Sequence, residues 1–258
     1  MSEFLKLEKQ KNTAVITFNN PPAHTWTKQS LTDLKNMVLS LNEDKEIYAL
    51  VVTGDGEKFF SAGADLNVFA SGDKTVAREM AEVFGQAFET LSQFRGVSIA
   101  AINGYAMGGG LEVALACDIR IAESHAQMAL PEATVGLLPC AGGTQNLHIL
   151  VGEGWTKRMI LCGERIKADK ALQIGLVEEV VESGQGLAAA LELASKVSKQ
   201  SPVAVTACKS LIQMNRSMPI SQALPKERDA FVDLFDSLDQ KEGVNAFLEK
   251  RSPVWQNK

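Results

Sequence analysis

The segment Ser98–Ala122, SIAAINGYAMGGGLEVALACDIRIA, decides the fold. Its first five residues, Ser98–Ile102, form a short apolar run of strand length, followed by the turn-forming pair Asn103–Gly104. Three glycines, Gly108–Gly110, then open a helix over Leu111–Ala116, and Ile119–Ala122 returns as a strand. Strand, helix and strand at this rhythm make a crossover unit, which lays helices over the faces of a parallel or mixed sheet.

The alternation continues toward the N-terminus. Lys74–Phe94 reads as a long helix, and Ala49–Thr53 (ALVVT) is a buried strand closed by Gly54–Asp55–Gly56. Phe59–Ala64 is a strand end running into a loop. Thr27 caps a helix to about Asn42, whose Leu31, Leu34, Val38 and Leu41 fall on one stripe. Phe4–Glu8 and Ala14–Phe18 are strands of a hairpin turning through Lys9–Thr13, and Pro21 and Pro22 bar a central strand in Asn19–Ala23. Beyond Gly142 the pattern is almost all helical: Gly143–Val151, Trp155–Cys162, Ala168–Ile174, Leu187–Gln200, Pro202–Met214, Ser221–Leu238 and Lys241–Arg251, with Leu176–Val181 as a strand. The fold class is therefore α/β, with a helical C-terminal portion that covers the core or joins subunits.

Bulk properties set limits on function. The 258 residues suffice for one large core or two small ones, and 45% hydrophobic with 22% charged residues is ordinary for a soluble globular chain. The net charge of −5, with no basic block, argues against a nucleic-acid partner. Met1–Gln10 has no apolar targeting core, and no run approaches the ~20 apolar residues of a membrane helix, so the expectation is a cytoplasmic protein with no membrane partner. Cys117, Cys140, Cys162 and Cys208 have no metal or redox spacing, so they are expected to be buried free thiols and no metal site is expected.

Four features carry the chemistry. Ser61-Ala62-Gly63-Ala64-Asp65 is a small-residue loop that lets a ligand approach the backbone. The glycine triplet at the start of the Leu111 helix leaves N–H groups uncovered at the positive end of a helix, suited to an oxygen that becomes negative during reaction. Pro131–Glu132 places a carboxylate in a loop. Pro139–Thr144 is a second glycine-bearing turn, expected to position Glu132 or close the pocket. His24, His125 and His148 read as surface or satisfied histidines, and Glu178–Glu179 as solvated acids. A G-x-S-x-G elbow, a P-loop, a G-x-G-x-x-G and an H-E-x-x-H are all missing from the sequence.

These blocks, in this order, resemble the enoyl-CoA hydratase/isomerase (crotonase) family over nearly the whole length: Phe59–Leu66, Ala101–Glu112, Pro131–Glu132, Gly136–Pro139 and Ala141–Gln145. The resemblance implies a crotonase-like spiral of β-β-α units over residues 1–195 and a helical trimerisation region over residues 196–258, in a homotrimer or dimer of trimers. It implies an oxyanion hole from the N–H groups of Ala64 and Gly109, and catalytic water held by Glu112 and Glu132. Contacts to the coenzyme A thioester would come from Lys58, Ala62, Asp65, Leu66 and Cys140, with Phe247 and Lys250 from the last helix, the latter two of this or a neighbouring subunit. No cofactor is implied beyond coenzyme A as part of the substrate. The implied activity is enoyl-CoA hydratase, adding water reversibly to 2-enoyl-CoA, as in fatty-acid β-oxidation. The alternatives are an isomerase or other acyl-CoA lyase of this fold, or a non-catalytic acyl-CoA- or RNA-binding relative. Cys140 departs from the family's usual glycine and Asn146 from its frequent arginine; neither removes a reacting group.

Overall fold

A computed structural model describes residues 2–258. The hairpin is longer and tighter than the sequence predicts: β1 (Leu5–Gln10) and β2 (Thr13–Phe18) pair antiparallel across Lys11–Asn12, with Lys11 at φ 54. Thr27 caps α1 (Lys28–Glu43) as expected, its side chain accepting from the Ser30 N–H.

Three turns of a β-β-α spiral follow. The first is β3 (Ala49–Gly54), β4 (Phe59–Ser61) and α2 (Lys74–Ser92). The second is β5 (Val97–Ile102), β6 (Tyr105–Met107) and α3 (Gly109–Ala116). The third is β7 (Ile119–Glu123), β8 (Gln127–Ala129) and α4 (Gly143–Leu161). Each turn gives its first strand to a six-stranded sheet, and its second to a four-stranded sheet. β9 (Ile166–Lys167) completes the smaller sheet, ordered β4-β6-β8-β9. After α5 (Ala168–Gln173), β10 (Glu179–Val181) completes the larger one, ordered β1-β2-β3-β5-β7-β10.

The apolar runs read as strands because the large sheet is buried on both faces. Val15, Val51, Ile99 and Ile121 point to one face, covered by Ala190 and Ala194 of α6 (Gly186–Val197). Their neighbours Ile16, Val52, Ala100 and Ala122 point to the other, packed with Leu34 and Val38 of α1 and Phe88 of α2. Alternate residues of one strand thus serve two cores.

α7 (Pro202–Met214), α8 (Ile220–Asp233) and α9 (Leu238–Leu248) form the helical end. Lys209 of α7 ties it to the spiral, donating to the Phe94 and Gly96 carbonyls at 2.6 and 3.0 Å and to Asp118 at 2.7 Å. No helix among the described residues is long and apolar enough to cross a membrane.

Several expectations change. Gly143–Val151 and Trp155–Cys162 form one element, α4, broken only at Gly152, whose φ 75 and ψ 171 are not helical. The strand expected over Leu176–Val181 shrinks to Glu179–Val181. Glu178 is not merely solvated: it pairs with the buried Arg120 at 2.5 Å, compensating a guanidinium out of water. Among the described residues only Cys117 is a buried cysteine; Cys140, Cys162 and Cys208 are exposed. The histidines match expectation: His24 is buried with both ring nitrogens paired, to the Asn20 N–H and the Asp55 carbonyl, and His125 and His148 are exposed.

Candidate active site

The small sheet builds the site. β4, β6 and β8 are parallel neighbours, so their C-terminal ends emerge at one edge. The three segments that follow, residues 62–64, 108–110 and 130–132, lie side by side there. Ligands commonly bind at the carboxyl ends of parallel strands for this reason.

Glycines let the first two segments touch. A Cβ on Gly63 would sit 2.6 Å from the Met107 carbonyl oxygen and 3.1 Å from the Gly109 nitrogen, and one on Gly110 would sit 2.1 Å from the Ser61 carbonyl oxygen. No side chain fits at either place.

Two N–H groups are left facing inward. Trp26 bridges Ala64 in parallel fashion: the Trp26 N–H donates to the Gly63 carbonyl at 2.8 Å, and the Asp65 N–H donates to the Trp26 carbonyl at 3.3 Å. That pattern turns the N–H of Ala64 itself the other way. Gly109 is the first residue of α3, so its N–H has no acceptor within the helix. Both residues line a cavity of about 510 Å³.

Glu112 and Glu132 line the same cavity. Glu112 is 2% exposed on α3. Its Oε1 accepts from the N–H groups of Ala141 and Gly143 at 2.8 and 2.9 Å. Of the two roles expected for the Pro139–Thr144 turn, it does not hold Glu132 but fixes Glu112, and it closes the pocket through Cys140. Gly143 is required there, since a Cβ would meet Glu112 Oε1 at 2.9 Å. Burial raises the Glu112 pKa, while the N–H groups of Gly143, Ala141 and Cys140 oppose the shift.

Glu132 starts a 3₁₀ turn, Glu132–Val135, and rests over the glycine triplet: its Oε1 lies 3.2 Å from where a Gly108 Cβ would be. Both carboxyl oxygens are shielded, and neither has a hydrogen-bond partner among the described residues. Desolvation and then the charge of Glu112 push this carboxyl up to about 7. The two acids thus differ in kind. One is pinned by main-chain donors; the other is unpinned and near neutrality, suited to both taking and giving a proton.

Ala62, Leu66 and Cys140 also line the cavity. Cys140, an exposed residue, stands where it meets an outer groove along α2; local desolvation of its sulfur, then the charges of Glu112 and Glu132, push its thiol up to about 11. Asp65 instead caps the 3₁₀ turn Leu66–Phe69, accepting from the Asn67 N–H at 3.0 Å. Lys58 lies over the Phe59 ring and lines a separate depression with His125 and Ser183. Phe247 and Lys250, at the exposed end of α9, do not line this chain's cavity. Sequence reasoning missed Phe84, Met107 and Val135 in the wall and Trp26 behind it. Helical spacing on α2 marks Phe84 as buried, but not as facing a cavity. No group of three or more His, Cys, Asp or Glu able to hold a metal ion occurs among the described residues.

The family model described as Enoyl-CoA hydratase/isomerase matches residues 8–258. The chain is 40% identical to the short-chain-enoyl-CoA hydratase of Clostridium acetobutylicum, over 95% of this chain and 94% of that protein. It is 39% identical to the 2,3-dehydroadipyl-CoA hydratase of Escherichia coli, over 98% of each. Among solved structures, DspI of Pseudomonas aeruginosa is 66% identical with a TM-score of 0.97, covering 99% of this chain and 97% of that one.

Proposed function

The chain belongs to the enoyl-CoA hydratase/isomerase family, and from that premise we propose that it is an enoyl-CoA hydratase working through Ala64, Gly109, Glu112 and Glu132. It adds water reversibly across the 2,3 double bond of a 2-enoyl-CoA thioester to give a 3-hydroxyacyl-CoA.

The thioester oxygen accepts hydrogen bonds from the Ala64 and Gly109 N–H groups. Electron density drawn toward that oxygen leaves C3 electrophilic, and the donors stabilise the enolate-like charge as it forms. Glu112, held by the 141–143 turn, accepts a hydrogen bond from the attacking water and orients it. Glu132 takes a proton from that water as its oxygen bonds to C3. Glu132 then delivers a proton to C2, the enolate electrons form the C2–H bond, and the carboxylate is restored. Atoms balance: the adduct gains one OH and one H.

The observation that carries this reading is the pair of unlike carboxyls in one cavity beside two inward N–H groups. Moving a double bond within a substrate needs one proton carrier; the pinned second carboxylate, placed for a water, favours hydration. The test is loss of enoyl-thioester absorbance on mixing with crotonyl-CoA, run in ¹⁸O-water. The reading requires the label at C3 of the product; double-bond migration without label uptake would contradict it.

We assign the helical end, residues 196–258, to assembly of a homotrimer or dimer of trimers. Exposed Ile212, Phe231, Val232 and Phe235 on and after α7 and α8 support this. Lys58, Phe247 and Lys250 remain our candidates for contacting the coenzyme A tail, the last two reaching a neighbouring subunit's site. The cytoplasm is the compartment we assign. Light scattering that gives a monomer mass would overturn the assembly.

A further inference from the structure

We propose that Trp26 is a positioning residue of the oxyanion hole, holding Ala64 through its main chain and bracing Gly109 with its indole. The inference rests on the hydratase reading and extends it to a residue outside the cavity wall.

Trp26 is bonded to one half of the hole and stands beside the other. Its N–H and carbonyl are bonded to Gly63 and Asp65, on either side of Ala64. Its indole Cδ1 lies 3.6 Å from where a Gly109 Cβ would be, next to Phe84 Cε1 at 3.0 Å. One residue therefore links the main chain that carries one donor to the backbone that carries the other.

The brace is itself held. Trp26 is 2% exposed and meets Phe18 edge-on, with ring centroids 4.8 Å apart. Phe88 of α2 is 5.6 Å from it on another side, and Phe84 is 5.7 Å beyond Phe88. Four rings thus stand behind the two donors, in edge-to-face geometry that resists sliding. The polar atom of the indole contributes nothing visible to stability: Nε1 is buried without a hydrogen-bond partner among the described residues. A phenylalanine at this position loses no hydrogen bond and removes an unpaired donor, so replacing Trp26 by phenylalanine isolates what the larger ring itself does. The larger ring is wedged between Phe18 and Phe88, and that wedging sets where Cδ1 stands beside Gly109.

Oxyanion donors act only when held where charge develops, and a small displacement weakens a hydrogen bond steeply. The loss should appear in turnover more than in substrate affinity.

The experiment compares Trp26→Phe and Trp26→Leu with the wild type. The first readout is the infrared band of the ¹³C-labelled thioester carbonyl of bound butanoyl-CoA, which reports polarisation by the two N–H groups without any turnover. The second is kcat and KM for hydration of crotonyl-CoA. Wild type shifts the carbonyl band to lower frequency on binding. The shift should shrink in both variants, and kcat should fall about 10-fold or more with KM changed by less than about 3-fold, a fraction of the ~10²–10³ typical for outright loss of a donor. Trp26→Phe keeps an aromatic ring in the cluster and removes only the larger ring's bulk, so it decides the matter should Trp26→Leu fail to fold. A full carbonyl shift and wild-type kcat in folded Trp26→Phe overturn the role given to Trp26 while leaving the hydratase reading intact. A wild type that binds butanoyl-CoA with no carbonyl shift overturns both.

Discussion

Replacing Glu132 by glutamine should abolish most hydration and yet make the protein more stable above neutral pH. The carboxyl is raised from 4.5 to about 7 by burial and by Glu112. A raised acid binds its proton more tightly folded than unfolded, so its contribution to stability is fully present below about 4.5 and is lost as pH rises toward 7. Each unit is worth about 1.4 kcal/mol, which bounds the loss at about 3.4 kcal/mol. Glu132 is only partly buried, so solvent screening reduces this to roughly 1–2 kcal/mol. Glutamine mimics the neutral acid in shape and carries no charge to desolvate. Urea unfolding at fixed protomer concentration should show Glu132→Gln roughly 1–2 kcal/mol more stable than wild type at pH 8.5. The gap should shrink toward zero near pH 5. A variant that is no more stable at pH 8.5, or a gap that does not change with pH, refutes the buried, unpartnered carboxyl on which the mechanism depends.

Three further outcomes follow from the same geometry. Glu112→Gln should lower hydration by ~10²–10⁴-fold while thioester binding, followed by calorimetry, stays near wild type. The kcat/KM for hydration and that for dehydration should both fall as pH drops below about 7, because each direction begins with Glu132 as a carboxylate and ends with it restored; a rate that does not fall through this range would contradict its role as proton carrier. Cys140, with its thiol pushed up to about 11, should react with iodoacetamide at pH 8 more slowly than an unperturbed thiol, and its modification should inhibit by filling the cavity mouth; peptide mapping against residual activity checks both.

The parts of the fold legible in the sequence are those that bury many side chains at once. Ala49–Thr53, Ser98–Ile102 and Ile119–Ala122 announce the large sheet because both its faces are covered. The small sheet left no such mark: Tyr105–Met107, Gln127–Ala129 and Ile166–Lys167 are two or three residues long, too short for periodicity, so each commits only one or two side chains, such as Ala106, Met128 and Ile166, to the core. Yet that sheet brings the three site segments together. The glycine triplet and Glu112 were readable because a helix start leaves donors exposed whatever surrounds it. The partner of the Pro139–Thr144 turn was not, since which carboxylate reaches its N–H groups depends on how α3 packs on α4. Trp26 was invisible for a related reason: in His24-Thr25-Trp26-Thr27 it is one large residue in a polar stretch, and only the bridge to Ala64 and the contact with Gly109 give it meaning.

The most direct test is a crystal structure of the protein with a bound 3-hydroxyacyl-CoA product. The thioester oxygen should lie 2.7–3.1 Å from the nitrogens of both Ala64 and Gly109, about the span of a strong oxyanion contact, with the 3-hydroxyl oxygen within hydrogen-bond reach of both Glu112 and Glu132. A carbonyl turned away from those nitrogens, or a hydroxyl that meets only one of the two carboxyls, contradicts the account.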